Sequence, residues 1–271
     1  MNLSNMISIV MPVYNSERFL ADAIDSVLNQ SFSDWELLIC DDESTDNSYR
    51  LASKYSKIDT RIVLLKNNFT KGASGARNTC IKNARGRYIA FLDSDDIWQP
   101  HKLEVQLKHM KKNQLGFSYG NYYNISESGE KINIVKSPQH IDFHSMLLSN
   151  WVGCLTVMID RNYFLDIEQP FIQRRNDYAL WLILLKQIKQ QKFSGIDSIL
   201  GFYRVNSYGL SAKKLSALQS YYTCIRTYGD RGILISLVMT QIYLCIMLIK
   251  KIFPRVYNQI VIPLVERFVN K

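Results

Sequence analysis

The sequence predicts an α/β fold, in which a mostly parallel sheet has helices on both faces and further apolar, amphipathic helices follow at the C-terminal end. Three observations lead to this prediction. Short β-rich apolar runs alternate with helix-like segments over the first hundred residues, a polar loop follows each run, and the last sixty residues are basic with a long apolar stretch. The chain has 271 residues and 47% hydrophobic content, which is enough for one full core and a smaller appended element.

The first half of the chain alternates strands with helices. Strands are predicted at residues 7–11, 35–40, 61–65 and 88–92, and helices between them at 17–28, 45–55 and 74–84. Alternation at this spacing favours parallel strands joined by crossover helices. The chain has no GxGxxG motif after the first strand and no GxxxxGKS/T motif, so dinucleotide-dehydrogenase and P-loop functions lose their main support.

The second half of the chain has a mixed pattern. We predict helices at 100–113, 142–148 and 178–187, strands at 116–123, 154–159 and 199–204, and a polar turn or hairpin at 124–136. No internal repeat and no strong linker precedes residue 211. The sequence therefore predicts one domain over residues 1–211 and a helical tail over 212–271.

The densest chemical signal is an acidic loop that follows the fourth predicted strand. Asp93, Asp95 and Asp96 fall within four positions. Like charges at this spacing raise one another's pKa, so such a loop is either fully solvated or neutralised by a cation. It contains no cysteine or histidine, which favours Mg²⁺ or Mn²⁺ over zinc. The structural alternative is that these side chains cap the next helix or sit in a turn.

Two further polar loops leave the first and second strands at the same predicted sheet edge. Pro12, Tyr14 and Asn15 follow the first strand, and the Tyr14 ring offers a surface on which a base can stack. Asp41 and Asp42 follow the second strand, where one carboxylate can accept a base N–H. An ordinary turn and a helix cap are the respective structural alternatives.

The third loop is rich in glycine and leads into a helix that carries Arg77 and Asn78. A guanidinium and an amide at this position can bind a diphosphate. The beginning of a surface helix would explain the same residues.

Six segments in order make the chain recognisable. They are PVYN (12–15), DDESTD (41–46), GARN (75–78), GRYIAFLDSDD (86–96), GCLT (153–156) and NDYALWL (176–182). Together they resemble the family 2 inverting glycosyltransferases, and among these the bacterial teichuronic-acid, capsule and O-antigen polysaccharide enzymes. The resemblance covers residues 7 to about 211 and implies a GT-A fold with a Rossmann-like sheet. Within it, residues 1–100 are the nucleotide-binding half and residues 101–211 the acceptor half.

The resemblance also implies roles for individual residues. Asp177 takes the place of the general base, Asp95 and Asp96 that of the ligands of Mg²⁺ or Mn²⁺, and Asp93 that of the ribose contact. The substrate-binding residues that it implies are Pro12, Tyr14, Asn15, Asp41, Asp42, Arg77, Asn78, Asp93 and Trp181. One carboxylate then deprotonates the acceptor hydroxyl while a cation stabilises the departing nucleoside diphosphate. The structural alternative for Asp177 is a helix cap.

Two positions depart from the family pattern. Asn176 stands where the family commonly has Glu, and Asn206 stands where it often has a histidine that follows Tyr203-Arg204. These departures keep open a non-catalytic nucleotide-sugar-binding or scaffold protein on the same fold. A nucleotidyltransferase also uses acidic metal loops, but the resemblance argues against it.

The tail suggests contact with a membrane. Residues 212–271 carry 9 Lys and Arg against 2 Asp and Glu, whereas residues 1–211 carry 24 against 22. Cations flank the apolar run at 232–249, which predicts a helix lying in a membrane interface; a core helix is the alternative. Nucleic-acid binding is disfavoured because aromatic and basic residues are not interleaved as in a recognisable module.

The remaining composition bears on the compartment. Five cysteines without any CxxC indicate buried thiols in a reducing environment, and we see no signal peptide at the N-terminus. The resemblance implies a metal-dependent inverting glycosyltransferase of bacterial surface polysaccharide synthesis. It would use a nucleotide-sugar donor, expected to be UDP-linked, and a lipid-linked glycan acceptor. It would lie in the cytoplasm, peripheral on the inner face of the cell membrane.

Overall fold

The computed structural model describes residues 5–172, 174–188, 192–205 and 214–269. The strands are β1 Ile7–Val13, β2 Trp35–Asp41, β3 Ile62–Lys66, β4 Tyr88–Phe91, β5 Ile97–Trp98, β6 Phe117–Ile125, β7 Lys131–Val135, β8 Met158–Asp160 and β9 Phe193–Arg204. The helices are α1 Leu20–Leu28, α2 Ser48–Ile58, α3 Ala73–Asn83, α4 Lys102–Asn113, α5 Phe143–Met146, α6 Asn176–Gln187, α7 Lys214–Thr227, α8 Ile233–Ile252, α9 Pro254–Val256 and α10 Ile262–Val269.

These strands form one mixed sheet in the order β3-β2-β1-β4-β8-β6-β9-β5, with β7 paired to β6. The first four strands are parallel, as predicted. The second half adds antiparallel pairs of β8 with β4 and β6, and of β5 with β9. The carboxyl ends of β1, β2 and β4 therefore meet at one edge, where ligands bind in open α/β sheets.

Both faces of the central strands are buried, because successive side chains point to opposite faces. Val10 and Phe91 pack into a cluster with residues of α3, α6 and the tail. Ile9 and Ala90 pack into a second cluster with residues of α1 and α4. The predicted arrangement of helices on both faces is confirmed.

Pro12 lies inside the central strand β1, a position that usually excludes proline because its ring nitrogen carries no hydrogen. Here the pairing of β1 with β4 ends at Val10, while the pairing with β2 continues to Val13. Pro12 therefore lies beyond the last residue of β1 that pairs with β4. The strand can accommodate it and still carry the following loop to the sheet edge.

Several predicted boundaries were wrong. The strand expected at 154–159 begins only at Met158, because residues Cys154–Thr156 form a 3-10 turn. In that turn, the Thr156 hydroxyl donates to the Gly153 carbonyl at 2.7 Å. The last strand begins at Phe193 rather than 199, and the short strand β5 was not predicted. Asn206 lies outside the described residues.

The tail helix α8 is mostly exposed. Ser236 and Tyr243 are its buried residues, whereas Leu234 is 78% and Val238 59% exposed. Within the described part of the chain, α8 is the one helix long and apolar enough to cross a membrane, with a mean hydropathy of 2.1. Only 11% of its apolar window is buried, so α8 is not enclosed in the core, although Tyr243 and its neighbours on one side of the helix dock on the domain.

Other parts of the tail are docked on the second half of the domain. The Tyr257 ring stacks on Trp151 with 6.4 Å between centroids. The Glu266 carboxylate accepts from the Gln139 backbone N–H at 2.6 Å. The tail is thus attached to the domain along one side and leaves an apolar face uncovered on the other.

Candidate active site

The loops after β1 and β2 are held together by hydrogen bonds. Asn15 adopts a left-handed conformation (φ 47°), and its side-chain oxygen accepts from the Thr45 backbone N–H at 2.8 Å. The Asn15 backbone N–H donates to the Ser44 hydroxyl at 3.1 Å. Asn15, predicted to bind substrate, therefore acts in this structure as the connection that sets the two loops side by side.

Asp41 has an unused acceptor at the bottom of this pair of loops. The side chain is 8% exposed, and one oxygen accepts from the Ser44 backbone N–H at 3.2 Å. The other oxygen, Oδ1, is buried and has no hydrogen-bond partner among the described residues. A buried carboxylate oxygen without a partner is costly, so this atom is suited to a ligand N–H.

Asp42 has a different role from its neighbour. Its carboxylate accepts from Asn67 Nδ2 at 2.6 Å and from the Gly72 backbone N–H at 2.7 Å. Both contacts fix the loop that leads into α3. Asp42, also predicted to bind substrate, thus shapes the site by holding the loop that precedes Arg77.

Tyr14, in the loop after β1, offers an exposed ring. The residue is 51% exposed, and Lys71 Nζ lies 5.4 Å from its ring centroid. Lys71 also pairs with Glu43 at 2.8 Å. The ring therefore remains accessible for stacking, with a cation beside it.

The acidic loop after β4 is tied into place from two sides. The Asp96 backbone N–H donates to the Asp93 carbonyl at 3.1 Å, and Asp96 Oδ1 accepts from the Arg204 backbone N–H at 2.9 Å. The Arg204 side chain donates through Nε to the Asp95 carbonyl at 3.0 Å. On the other side, Arg77 forms a short ion pair with Asp93.

The carboxylates of this loop lie close enough to raise the pKa of Asp95 and Asp96. Burial, with the nearby Asp93 carboxylate, raises the pKa of Asp95 to about 6. Burial and the charges of Asp95 and Asp93 raise the pKa of Asp96 well above its usual range. Negative charge is thus under-compensated here in the protein alone.

This charge pattern fits a divalent cation, though with fewer ligands than predicted. Among the described residues, no three His, Cys, Asp or Glu side chains converge to bind a metal by themselves. Mg²⁺ and Mn²⁺ sites in nucleotide enzymes use one or two carboxylates and complete the shell with phosphate oxygens. Asp95 suits this arrangement. Asp96 does not, because it is 2% exposed and turned toward Arg204, and we assign it to holding the loop.

Across the site, Asp177 lies in the first turn of α6. Burial raises the pKa of its carboxyl, and the charge of Arg77 partly offsets this increase. The Asn176 side-chain oxygen accepts from the Asp177 backbone N–H at 2.8 Å and from Arg77 Nη1 at 3.2 Å. The Asn176 amide donates to the Ser74 hydroxyl at 3.0 Å. The neutral Asn176 thus connects α6 to α3.

Arg77 connects the two acidic sides of the site. It is 6% exposed, pairs with Asp93, and donates to Asn176 and to Gln169 Oε1 at 3.4 Å. Its Nε has no partner among the described residues. One buried guanidinium therefore lies between the acidic loop and the Asp177 helix.

Two predicted substrate residues lie away from the cleft. Trp181 is 0% exposed and packs edge-on against Phe91 and Phe117, each at 5.3 Å between centroids. Asn78 exchanges two hydrogen bonds with the Gln169 backbone, at 2.7 and 2.9 Å. It also lines a separate groove of about 740 Å³. We therefore assign Trp181 to core packing and Asn78 to loop attachment, in place of substrate contact.

The sequence analysis missed Arg204. Its side chain is 3% exposed and donates to the Asp95 and Glu127 carbonyls and to Asp22. The Tyr203-Arg204 pair at the end of the last strand could have indicated it, because the family pattern at this position includes this arginine as well as the histidine that is replaced by Asn206. Gln169, which contacts both Arg77 and Asn78, follows no pattern in the sequence that could have indicated it.

Comparison with known proteins gives close relatives. A family model described as Glycosyl transferase family 2 matches residues 8–164. The chain is 43% identical over 227 residues to the UDP-Glc:alpha-D-GlcNAc-diphosphoundecaprenol beta-1,3-glucosyltransferase WfgD of Escherichia coli, covering 83% of this chain and 87% of that protein. It is 38% identical over 228 residues to WfaP of the same organism, which has the same described activity, covering 84% and 88%.

Solved structures with low sequence identity share the fold. TarS of S. aureus in complex with UDP-GlcNAc superposes with a TM-score of 0.70 at 16% identity, covering 88% of this chain and 71% of that chain. The mannosyltransferase PcManGT from Pyrobaculum calidifontis, in complex with GDP-Man and Mn²⁺, has a TM-score of 0.64 at 15% identity, covering 87% and 69%. The predicted GT-A fold is confirmed, and the family match and the close relatives show that this chain belongs to glycosyl transferase family 2.

Proposed function

We propose that this protein transfers glucose from UDP-glucose, with inversion, to a GlcNAc-diphosphoundecaprenol type of lipid-linked acceptor in surface polysaccharide synthesis. The observation that carries the proposal is the placement of Asp177 opposite the Asp93 and Asp95 loop, with Arg77 buried between them. The choice of donor and acceptor rests on WfgD and WfaP, whose described activity uses these two substrates.

The donor would lie along the loops after β1, β2 and β4. Tyr14 would stack on the uracil, and the unpartnered Oδ1 of Asp41 would accept its N–H. Asp93 would bind the ribose and Asp95 would hold the cation. A bound Mg²⁺ or Mn²⁺ supplies stabilisation of the negative charge on the departing diphosphate. Residues 1–100 would thus bind the donor and residues 101–211 the acceptor.

Asp177 would act as the general base. Burial raises its pKa, which makes the carboxylate a stronger proton acceptor than a solvated one, and the positive charge of Arg77 favours its ionised form. It takes the proton of the acceptor hydroxyl as that oxygen attacks the anomeric carbon. The bond to the diphosphate breaks on the opposite face, so a single displacement inverts the anomeric centre. One protein carboxylate is sufficient, whereas an inverting hydrolase needs a second as acid.

The tail would bring the enzyme to its lipid-linked acceptor. In the sequence, the exposed apolar run of α8 is preceded by Arg226 and Arg231. It is followed by Lys250, Lys251 and Arg255. Apolar faces with basic flanks bind anionic bilayer surfaces. We therefore propose a cytoplasmic enzyme that is peripheral on the inner face of the cell membrane.

A donor-binding protein without turnover is the second candidate. It is favoured by Asn176, which stands where the family commonly has an acid. One observation counts against this second candidate. The Asn176 amide donates to the Ser74 hydroxyl, and its oxygen accepts from the Asp177 backbone N–H, so Asn176 has a structural role that an ionised acid, which cannot donate, would not fill in the same way.

The test is transfer from a panel of UDP, GDP and dTDP sugars to a synthetic GlcNAc-diphospholipid, with and without Mn²⁺. We expect UDP-glucose to give a β-linked product. Asp177→Asn should abolish turnover and retain donor binding, and Asp95→Ala should lose metal-dependent donor binding. Asp34→Asn, in an exposed loop before β2, is the matched control and should behave as the wild type. Donor binding by the wild type without any transfer would support the second candidate.

A further inference from the structure

The three tyrosines Tyr178, Tyr221 and Tyr243 form a continuous buried stack. Tyr178 and Tyr221 lie 5.5 Å apart at an angle of 7°, and Tyr221 and Tyr243 lie 4.0 Å apart at 14°. All three are nearly inaccessible to solvent. They come from α6, α7 and α8, so the stack joins the helix of Asp177 to the apolar tail helix.

Two of the three hydroxyls are bound to the domain. Tyr178 Oη donates to the Met146 carbonyl and Tyr221 Oη to the Leu147 carbonyl, each at 2.6 Å. The Tyr243 hydroxyl instead accepts a short hydrogen bond from Arg175 Nη2. The third tyrosine therefore contacts the residue that precedes the Asp177 helix.

Arg175 occupies a constrained position. Its backbone is left-handed (φ 60°), and its carbonyl accepts from the Ala179 backbone N–H at 2.9 Å in the first turn of α6. Its guanidinium lies 4.8 Å from the Tyr243 ring centroid and 5.4 Å from that of Tyr221. Arg175 directly precedes α6, and Asp177 lies two residues later in the first turn of that helix.

We propose that Tyr243, carried by the tail helix α8, positions the base Asp177 through Arg175, so that the tail is a working part of the active site. The inference rests on the proposed role of Asp177. Arg175 and Tyr243 are positioning residues in it, since neither needs to touch a substrate. Small displacements of a reacting group are costly in rate, on the order of 100-fold for about 1 Å.

The sharpest variant is Tyr243→Phe in the 271-residue protein, which retains the ring in the stack and removes only the hydroxyl that accepts from Arg175 Nη2. The matched control is Tyr221→Phe, which removes the neighbouring hydroxyl and its bond to Leu147. We expect Tyr243→Phe to lower kcat about 3- to 10-fold with donor and acceptor KM nearly unchanged. Tyr221→Phe should lower Tm at least as much and leave kcat within about 2-fold.

A second variant, Arg175→Gly, removes the side chain while glycine readily adopts the left-handed backbone. We expect kcat to fall about 10- to 100-fold, and Arg175→Lys, which retains the charge, to restore part of it. If the two residues act through one path, the double variant Tyr243→Phe, Arg175→Gly should be no slower than Arg175→Gly alone.

The outcomes separate the inference from the function on which it rests. Loss of turnover in Asp177→Asn together with an unchanged kcat in Tyr243→Phe would overturn the positioning role alone. Equal losses of kcat in Tyr243→Phe and Tyr221→Phe, or additive losses in the double variant, would do the same. Full turnover in Asp177→Asn would instead refute the assignment of the base.

Discussion

Arg204 offers a quantitative test of how the acidic loop is held. Its buried guanidinium donates to the Asp95 carbonyl at 3.0 Å and to the Glu127 carbonyl at 2.8 Å. Its pairing with Asp22 contributes little, because that side chain is 57% exposed. Arg204→Met retains most of the side-chain volume and deletes the two carbonyl contacts.

The sign of the effect is not obvious in advance. Replacing a buried charge by an apolar side chain of similar size is often neutral, because the desolvation cost of the charge disappears as well. Here, however, the partners are backbone carbonyls that would remain in place without a donor. Hydrogen bonds to charged groups contribute about 1.5–3 kcal/mol each, so the loss of two predicts a decrease of roughly 3–6 kcal/mol in the free energy of unfolding.

The assay is urea unfolding, with Arg18→Met as the matched control. Arg18 pairs with the side chain of Glu127, the residue whose carbonyl accepts from Arg204. The Arg18 side chain is 64% exposed, so its removal should lower the free energy of unfolding by less than about 1 kcal/mol. In the variant that still folds, the Mn²⁺ concentration for half-maximal activity should rise, since Arg204 holds the Asp95 backbone. Equal stability losses in the two variants would refute the reasoning that the carbonyl contacts hold the loop.

Three further predictions concern pH, the donor and the membrane. The pKa of Asp95 in the folded protein is about 6 and lies above its unfolded value, so the metal-free folded state binds more protons between these two values and loses stability as the pH rises through about 6. Asp95→Asn should therefore flatten the dependence of Tm on pH between about 4 and 7, and an unchanged slope would contradict a raised pKa at Asp95. Asp41→Asn, which alters the unpartnered acceptor oxygen, should weaken UDP binding about 10-fold or more by calorimetry. An unaltered affinity would show that the uracil does not bind at Asp41. Leu234→Glu on the exposed face of α8 should reduce sedimentation with anionic vesicles, whereas Leu165→Glu, a fully exposed leucine in the domain, should not; equal sedimentation of both would refute a membrane face on α8.

The parallel half of the fold followed from the sequence because its signals are local. Each of the first four strands is a short apolar run, and each is followed by a loop whose residue types indicate a turn or a cap. The parallel direction of these strands needs no information beyond the alternation of strands and helices, whereas their order in the sheet was not predicted. The strand β5, which pairs with β9, was not predicted, because its two residues Ile97 and Trp98 are too few to show a periodicity.

The contributions of individual site residues depend on contacts that are distant in the chain. Asp96 and Asp95 are indistinguishable by type, and only the arrival of Arg204, more than a hundred residues later, turns Asp96 inward. Trp181 is a substrate-binding residue by the resemblance, yet it is buried and packs against Phe91 and Phe117 from two different strands. Such outcomes are decided by packing and by backbone hydrogen bonds, which leave no trace in residue spacing.

Helix α8 has one face that packs on the domain and one face that is exposed. The side chains that face the domain recur at intervals of three and four residues, at Ser236, Met239, Tyr243 and Ile246, which is the spacing of a helix–helix seam. The outward positions between them are more open to solvent: Leu237 is 49% and Val238 59% exposed. If α8 binds a membrane as proposed, a water-soluble version of the protein is best sought by replacing residues of the outward face with polar ones while the seam is left intact. Removing the helix as a dispensable anchor would take the seam away with it.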